Sequence, residues 1–204
     1  MQSKDTTGIH LEGHIKIHDP ESGEIFINKR NAVHYENISI ALAQSLANSG
    51  QGFIYKMAFG NGGTAVDPTG IITYLTPNSS GSNASLYNES YTKVVDDRSS
   101  TNSDPTRNYI ETRHVTGTNY TDVFITCLLD YGEPNGQQAF DNTNNNESSF
   151  VFDELGLKSF DSTGTTDGLL LTHVVFHPVL KSLNRLIQID YTVRIQSLTG
   201  LAGV

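Results

Sequence analysis

One cysteine, no tryptophan and few basic residues already exclude several classes of protein. The single Cys127 rules out an intrachain disulfide framework and fits assembly in a reducing cytosol. No apolar run approaches the roughly 18 residues that a membrane-spanning helix requires. The first residues, MQSKDTTGIH, have neither an apolar core nor a cleavage site, so no signal peptide is expected. Lys and Arg number 13 against 22 Asp and Glu, for a formal net charge of −9. Such a surface repels phosphate backbones, which argues against nucleic-acid binding, and it favours solubility.

The 204 residues are enough for one domain, and a chain of this size buries roughly 70% of its unfolded surface. Eighteen Gly and nine Tyr, with many Asn, Ser and Thr, suit a β-rich protein with long loops. The clearest signal is the last third, Phe150 to Gln196. It reads as three strands: FVFDELGLKSF, GLLLTHVVFHP and LNRLIQIDYTVRIQ. In the third, Leu183, Ile187, Ile189, Tyr191, Val193 and Ile195 share one face, and polar residues share the other. That alternation predicts a half-buried strand with one wet side. Ile9 to Asn28 reads as a hairpin around Asp19-Pro20-Glu21-Ser22-Gly23. Tyr35, Ile38, Leu42 and Leu46 recur at helical spacing, with Asn31 and His34 both near the start and Asn48-Ser49-Gly50 at the end. Phe53 to Phe59 is a strand. Asn108 to Val115 and Tyr120 to Tyr131 form a second hairpin, with Val123, Ile125, Cys127 and Leu129 on one face. Eight or nine strands and one helix predict an all-β, antiparallel β-sandwich. Its expected core is Leu11, Ile15, Ile17, Ile125, Cys127, Leu129, Ile187, Ile189, Tyr191 and Val193. Residues 1–204 are read as a single domain with a long polar insertion at about 64–108, in which only Ile71 to Tyr74 and Tyr91 to Val95 look extended.

Chemistry-bearing patterns are sparse. Gly60-Asn61-Gly62-Gly63-Thr64 lacks the Lys-Ser/Thr ending of a phosphate loop and reads as a turn needing positive φ. His10, His14 and His18 share a strand face, as do His173 and His177. Strand residues four apart are separated by roughly 13 Å, too far to share one ion. Asp153 and Glu154 are neighbours on a strand and face opposite sides, so they do not make an acid–base pair. Glu154 instead reads as a structural carboxylate, bonded to backbone or to a basic partner. Asp96-Asp97 and the loop Asp141 to Glu147 cluster oxygen donors but do not match a calcium loop. No serine sits in a Gly-x-Ser-x-Gly elbow. Cys127, mid-strand on an apolar face, reads as an inert core thiol. The sequons at Asn37, Asn78, Asn83, Asn88, Asn119 and Asn146 are by-products of composition. The sequence therefore predicts no catalytic residues, no metal or cofactor ligands and no enzyme.

Several blocks nevertheless carry a resemblance. Glu154 precedes Leu155-Gly156-Leu157. An apolar Leu170-Leu171-Thr172-His173 strand, Pro178 and the run Lys181-Ser182-Leu183-Asn184-Arg185 follow. Earlier in the chain, Arg30-Asn31-Ala32-Val33-His34-Tyr35-Glu36-Asn37 leads into an Ala-rich helix, and Met57 to Thr64 is a strand running into Gly-x-Gly. Together these resemble accessory virion structural proteins of tailed bacteriophages, contractile-tailed phages and cyanophages among them. More distantly they resemble the N-terminal domains of tail-collar fibre proteins. The resemblance implies a non-enzymatic β-sandwich module of the virion, assembled in the host cytoplasm and docked at neck, collar or tail. Capsid decoration is the alternative position. It also implies a homo-oligomer, a ring or trimer, in contact with other virion proteins. The chain has no fibrous repeat, so it is not itself a whole fibre. A carbohydrate-binding β-sandwich is the reading from another class. It would use tyrosines and Asn/Asp loops as a sugar platform, without the tryptophan common in lectins.

Overall fold

In a computed structural model the chain is described over residues 8–81, 84–134, 149–163 and 167–198. Asn83, Asn146, the loop Asp141 to Glu147 and most of the C-terminal tail, residues 199–204, lie outside these. The described residues form β1 (Gly8–His18), β2 (Ile25–Val33), α1 (Tyr35–Leu46), β3 (Ile54–Gly60), β4 (Thr64–Val66), β5 (Ile72–Tyr74) and β6 (Glu89–Val94). They continue with β7 (Tyr109–His114), β8 (Tyr120–Leu129), β9 (Ser149–Ser159), β10 (Thr172–Ser182) and β11 (Ile187–Leu198). The fold is all-β, and every strand pair is antiparallel.

Nine strands join in the order β6-β3-β9-β10-β2-β1-β11-β8-β7, and β4-β5 form a separate ribbon. The large sheet is nearly two. The β2–β10 ladder has two pairs, Val33↔Thr172 and Ala32↔His173, and the Lys29 ammonium adds a bond to the Val175 carbonyl at 2.9 Å. At this corner the sheet curls over, and its two halves share one core. Ile15, Ile17, Ile125, Cys127, Ile187 and Ile189 from one half belong to the same buried cluster as Met57, Phe59, Phe152, Leu157 and Phe176 from the other. The sandwich thus arises as two halves of one sheet. Phe59 and Phe176 each meet the Phe152 ring edge-on, at 5.4 and 5.7 Å between centroids, a favoured aromatic geometry. Of the expected core, Leu11 is partly buried against this cluster and the others are buried.

Two buried lysines tie the halves together. Lys93 on β6 donates to the Leu128 carbonyl at 2.7 Å and pairs with Glu133. Lys181 on β10 donates to the Asp130 and Ser182 carbonyls, each at 2.9 Å. Burial lowers the Lys181 pKa to about 8, against the raising fields of Glu133 and Asp130.

Three local expectations are corrected. β11 starts at Ile187, not at Leu183, because the Arg185 amide closes a turn on the Ser182 carbonyl at 3.2 Å. Only the middle of the predicted apolar stripe faces the core: Ile38 packs against it and Leu42 is half-buried, while Tyr35 and Leu46 are 73% and 87% exposed and the fully buried residues of α1 are Asn37 and Ala41. His34 is the N-cap, and its ring accepts the Asn37 amide at 3.3 Å. Asn37 then uses its side-chain amide to reach the Leu170 carbonyl at 2.9 Å, which docks the helix by hydrogen bonding. Lastly, residues 64–108 contain β4, β5 and β6; β4 has no counterpart in the predicted strands.

Candidate functional site

The densest buried polar cluster lies where β9, β10 and the turn after β3 converge. β9 is paired on both sides, with Gly60 opposite Glu154 on β3 and Val175 opposite it on β10. β10 bulges between Val175 and Val179. Pro178, which has no amide proton to give a ladder, sits in that bulge.

Glu154 is fully buried. Its Oε1 accepts the amides of Gly62 at 3.0 Å and Asn88 at 2.8 Å. Its Oε2 accepts the Tyr87 amide at 3.0 Å and faces His173 Nε2 at 2.9 Å. The Asn78 amide donates to His173 Nδ1 at 2.8 Å. Nδ1 therefore carries no proton, and Nε2–H is the donor to Glu154. Burial raises the Glu154 pKa, but the bonds from His173, Asn88, Tyr87 and Gly62 outweigh it and leave the carboxyl below its ordinary value. At Asp153 the balance is reversed. Burial raises its pKa, the bonds from Thr64 and Gly63 offset only part of that, and the neighbouring Glu154 charge adds to the rise. Asp153 accepts the amides of Gly63 and Thr64, each at 2.9 Å, and the Thr64 hydroxyl.

The two adjacent carboxylates thus hold successive amides of one turn. The glycines there are explained by close approach, not by positive φ as the sequence reading had it: Gly60, Gly62 and Gly63 are not among the positive-φ residues. A Cβ at Gly60 would lie 2.5 Å from both the Asn88 carbonyl and Glu154 Oε1, and one at Gly62 would lie 2.7 Å from Tyr87 Cβ.

The cluster anchors the segment from Asn61 to Asn88, which carries the β4-β5 ribbon. In that ribbon Asp67 Oδ1 accepts the amides of Thr69 and Ile71 at 2.8 and 3.0 Å and fixes the tip. Val66 and Ile71, at 64% and 63% exposure, flank the tip. An apolar groove lies beside the ribbon base, lined by Ile27, Tyr74, Leu75, Pro77 and Phe176.

The remaining candidate residues are dispersed. His10 bonds Glu12 at 3.2 Å, His18 bonds Asp190 at 2.9 Å and His177 meets the Tyr74 hydroxyl at 3.3 Å. Asp96 accepts the Arg98 amide at 3.1 Å. Among the described residues no three His, Cys, Asp or Glu side chains are grouped to hold a metal ion. Cys127 is buried, and burial pushes its thiol up to about 12. The sequence marked Glu154 and His173 separately; their pairing needs the β9–β10 register, which alternation alone does not supply.

Comparison with protein-family models, with curated proteins and with solved structures finds no match.

Proposed function

We propose that this chain is a non-enzymatic structural module of a tailed-phage virion, positioned at the neck, collar or tail, where it docks other virion proteins as a homo-oligomer. The observation that carries the reading is the use made of its buried charges. Of the buried charges, Asp153, Glu154, Lys93 and Lys181 bond backbone groups, while Lys158 and Asp122 pair with Glu89 and Arg194; Asp153 and Glu154 anchor a segment whose polar tip is flanked by exposed Val66 and Ile71. Charges spent this way fix the shape of a projecting loop, which is what a docking module needs. Long ordered loops in a compact domain serve binding more often than they serve connection. Most of the blocks that carry the phage resemblance meet here; the Lys181–Arg185 run lies elsewhere, on Asp130, Asp19 and Glu24. Glu154, His173 and the Gly60–Thr64 turn form the anchor, and His34 and Asn37 fasten the helix to Leu171 and Leu170 beside it.

The test is gold-labelled antibody against this protein on purified particles of the phage that encodes it, with copy number measured by quantitative mass spectrometry. Label at the head–tail junction or along the tail, in a multiple of three or six copies, is expected. Label spread over the head selects capsid decoration. Absence of the protein from purified particles overturns the reading.

A further inference from the structure

We propose that β7 is a two-fold pairing edge, through which two copies of this chain join their sheets antiparallel about Thr112. The inference does not depend on the virion reading.

β7 ends the nine-strand order, and among the described residues only β8 bonds its backbone. Thr112, Arg113 and His114 are exposed. An open edge presents unpaired N–H and C=O groups that template another strand. The opposite edge, β6, is guarded. Its Lys93 points inward, is buried, and is held by the Leu128 carbonyl at 2.7 Å; an inward charge of this kind discourages edge pairing. β7 has no lysine and no proline. Ile110 packs against the core, while Glu111 and Arg113 lie on the outer face, with the Arg113 guanidinium 4.6 Å from the Phe124 ring centroid.

The register follows from the pleat and the charges. A two-fold axis normal to the sheet keeps each outer face outer, and residues directly opposite across a ladder share a face. Registers centred between two residues would pair outer with inner positions and are excluded. Centring on Glu111 sets Glu111 against its own copy, and centring on Arg113 sets Arg113 against its own copy; both place like charges opposite. Centring on Thr112 sets Glu111 against the other copy's Arg113 twice over, and Thr112 against Thr112. It also sets Tyr109 against Val115, which is 60% exposed. Of these three registers, this one alone sets opposite charges against each other. The contact is isologous and closes at two copies, so it is separate from any contact that closes a ring.

Glu111 and Arg113 already pair within the strand at 2.7 Å, so the test must separate the two interactions. Sedimentation of the full chain is expected to give twice its 22.3 kDa mass. Glu111→Arg and Arg113→Glu are each expected to raise the dissociation constant about tenfold or more, by turning two cross-strand attractions into repulsions. An equimolar mixture of the two variants is expected to recover wild-type affinity. In that mixture the within-strand pair stays broken in both chains, and only the cross-strand pairs are restored. Spin labels on Thr112→Cys are expected within about 20 Å of each other, because facing Cα atoms lie about 5 Å apart. A wild-type chain that is monomeric at about 100 μM, a mixture no tighter than the single variants, or a longer label separation overturns the proposal.

Discussion

At Glu154 burial and hydrogen bonding oppose each other, and bonding prevails. Four donors surround the carboxylate: the amides of Gly62, Tyr87 and Asn88, and His173 Nε2. Glu154→Gln keeps the shape but turns one acceptor into a donor that faces other donors. Unsatisfied buried groups and broken buried pairs cost about 1–5 kcal/mol, and a loss of about 2–4 kcal/mol in urea unfolding at neutral pH is expected here. The pH dependence has a fixed sign. The folded carboxyl lies below its ordinary value of 4.5, so its contribution is fully present above that value and is lost as pH falls through the lower folded one. The gap between wild type and Glu154→Gln should therefore narrow below pH 4.5. A gap that stays constant or widens from pH 7 to pH 3 would show that the charge is not what the site uses. The raised Asp153 carboxyl acts with the opposite sign, because its proton is held more tightly in the folded chain than in the unfolded one.

Elements whose one face is apolar were legible from alternation. β8 and β11 place Ile125, Cys127, Leu129, Ile187, Ile189, Tyr191 and Val193 inward as the period of two demands. What alternation missed is explained by contacts it does not encode. α1 turns Asn37 inward because that side chain reaches the Leu170 carbonyl, and a polar anchor is invisible to a count of apolar residues. β4 is a three-residue strand paired with β5, too short to show a period. The Glu154–His173 contact depends on a register set by the bulge in β10. Gly156 has a steric role that its motif does not reveal: a Cβ there would lie 2.3 Å from the Thr172 carbonyl and 2.6 Å from Leu170 Cδ1. Backbone cannot yield as a side-chain tip can, so Gly156→Ala must part β9 from β10. It is expected to cost about 1–3 kcal/mol or more, as overpacking does. Gly70→Ala is the control. It has a φ of +85° with open space around it, and should lose only the roughly 1 kcal/mol of left-handed strain. Denaturant unfolding of the two variants side by side decides this; a loss at Gly156 no larger than that at Gly70 would mean that β9 and β10 absorb the added Cβ without parting, because Gly156 has no positive φ to account for it.

For the whole molecule the question is whether a sheet pinched to two residue pairs at the β2–β10 corner behaves as one unit or two. Packing argues for one. Ile17, Ile189 and Cys127 form a continuous row across β1, β11 and β8, each fully buried, and they belong to the same cluster as Phe59 and Phe152 of the other half. The Lys93 and Lys181 bonds to Leu128 and Asp130 add polar ties between the halves away from the corner. Ile189→Ala removes a large side chain from this shared core and is expected to destabilise by about 2–5 kcal/mol, the range for cavity-forming substitutions. In a single cooperative unit that loss must appear everywhere. Hydrogen exchange should show the slowest amides of β3 and β9 losing as much protection as those of β8 and β11, because both exchange through the same global opening. If the halves were independent, only β1, β8 and β11 would lose protection while β3 and β9 kept theirs. That second pattern would place the boundary at the corner and leave the Glu154 anchor stable without the half that carries β7.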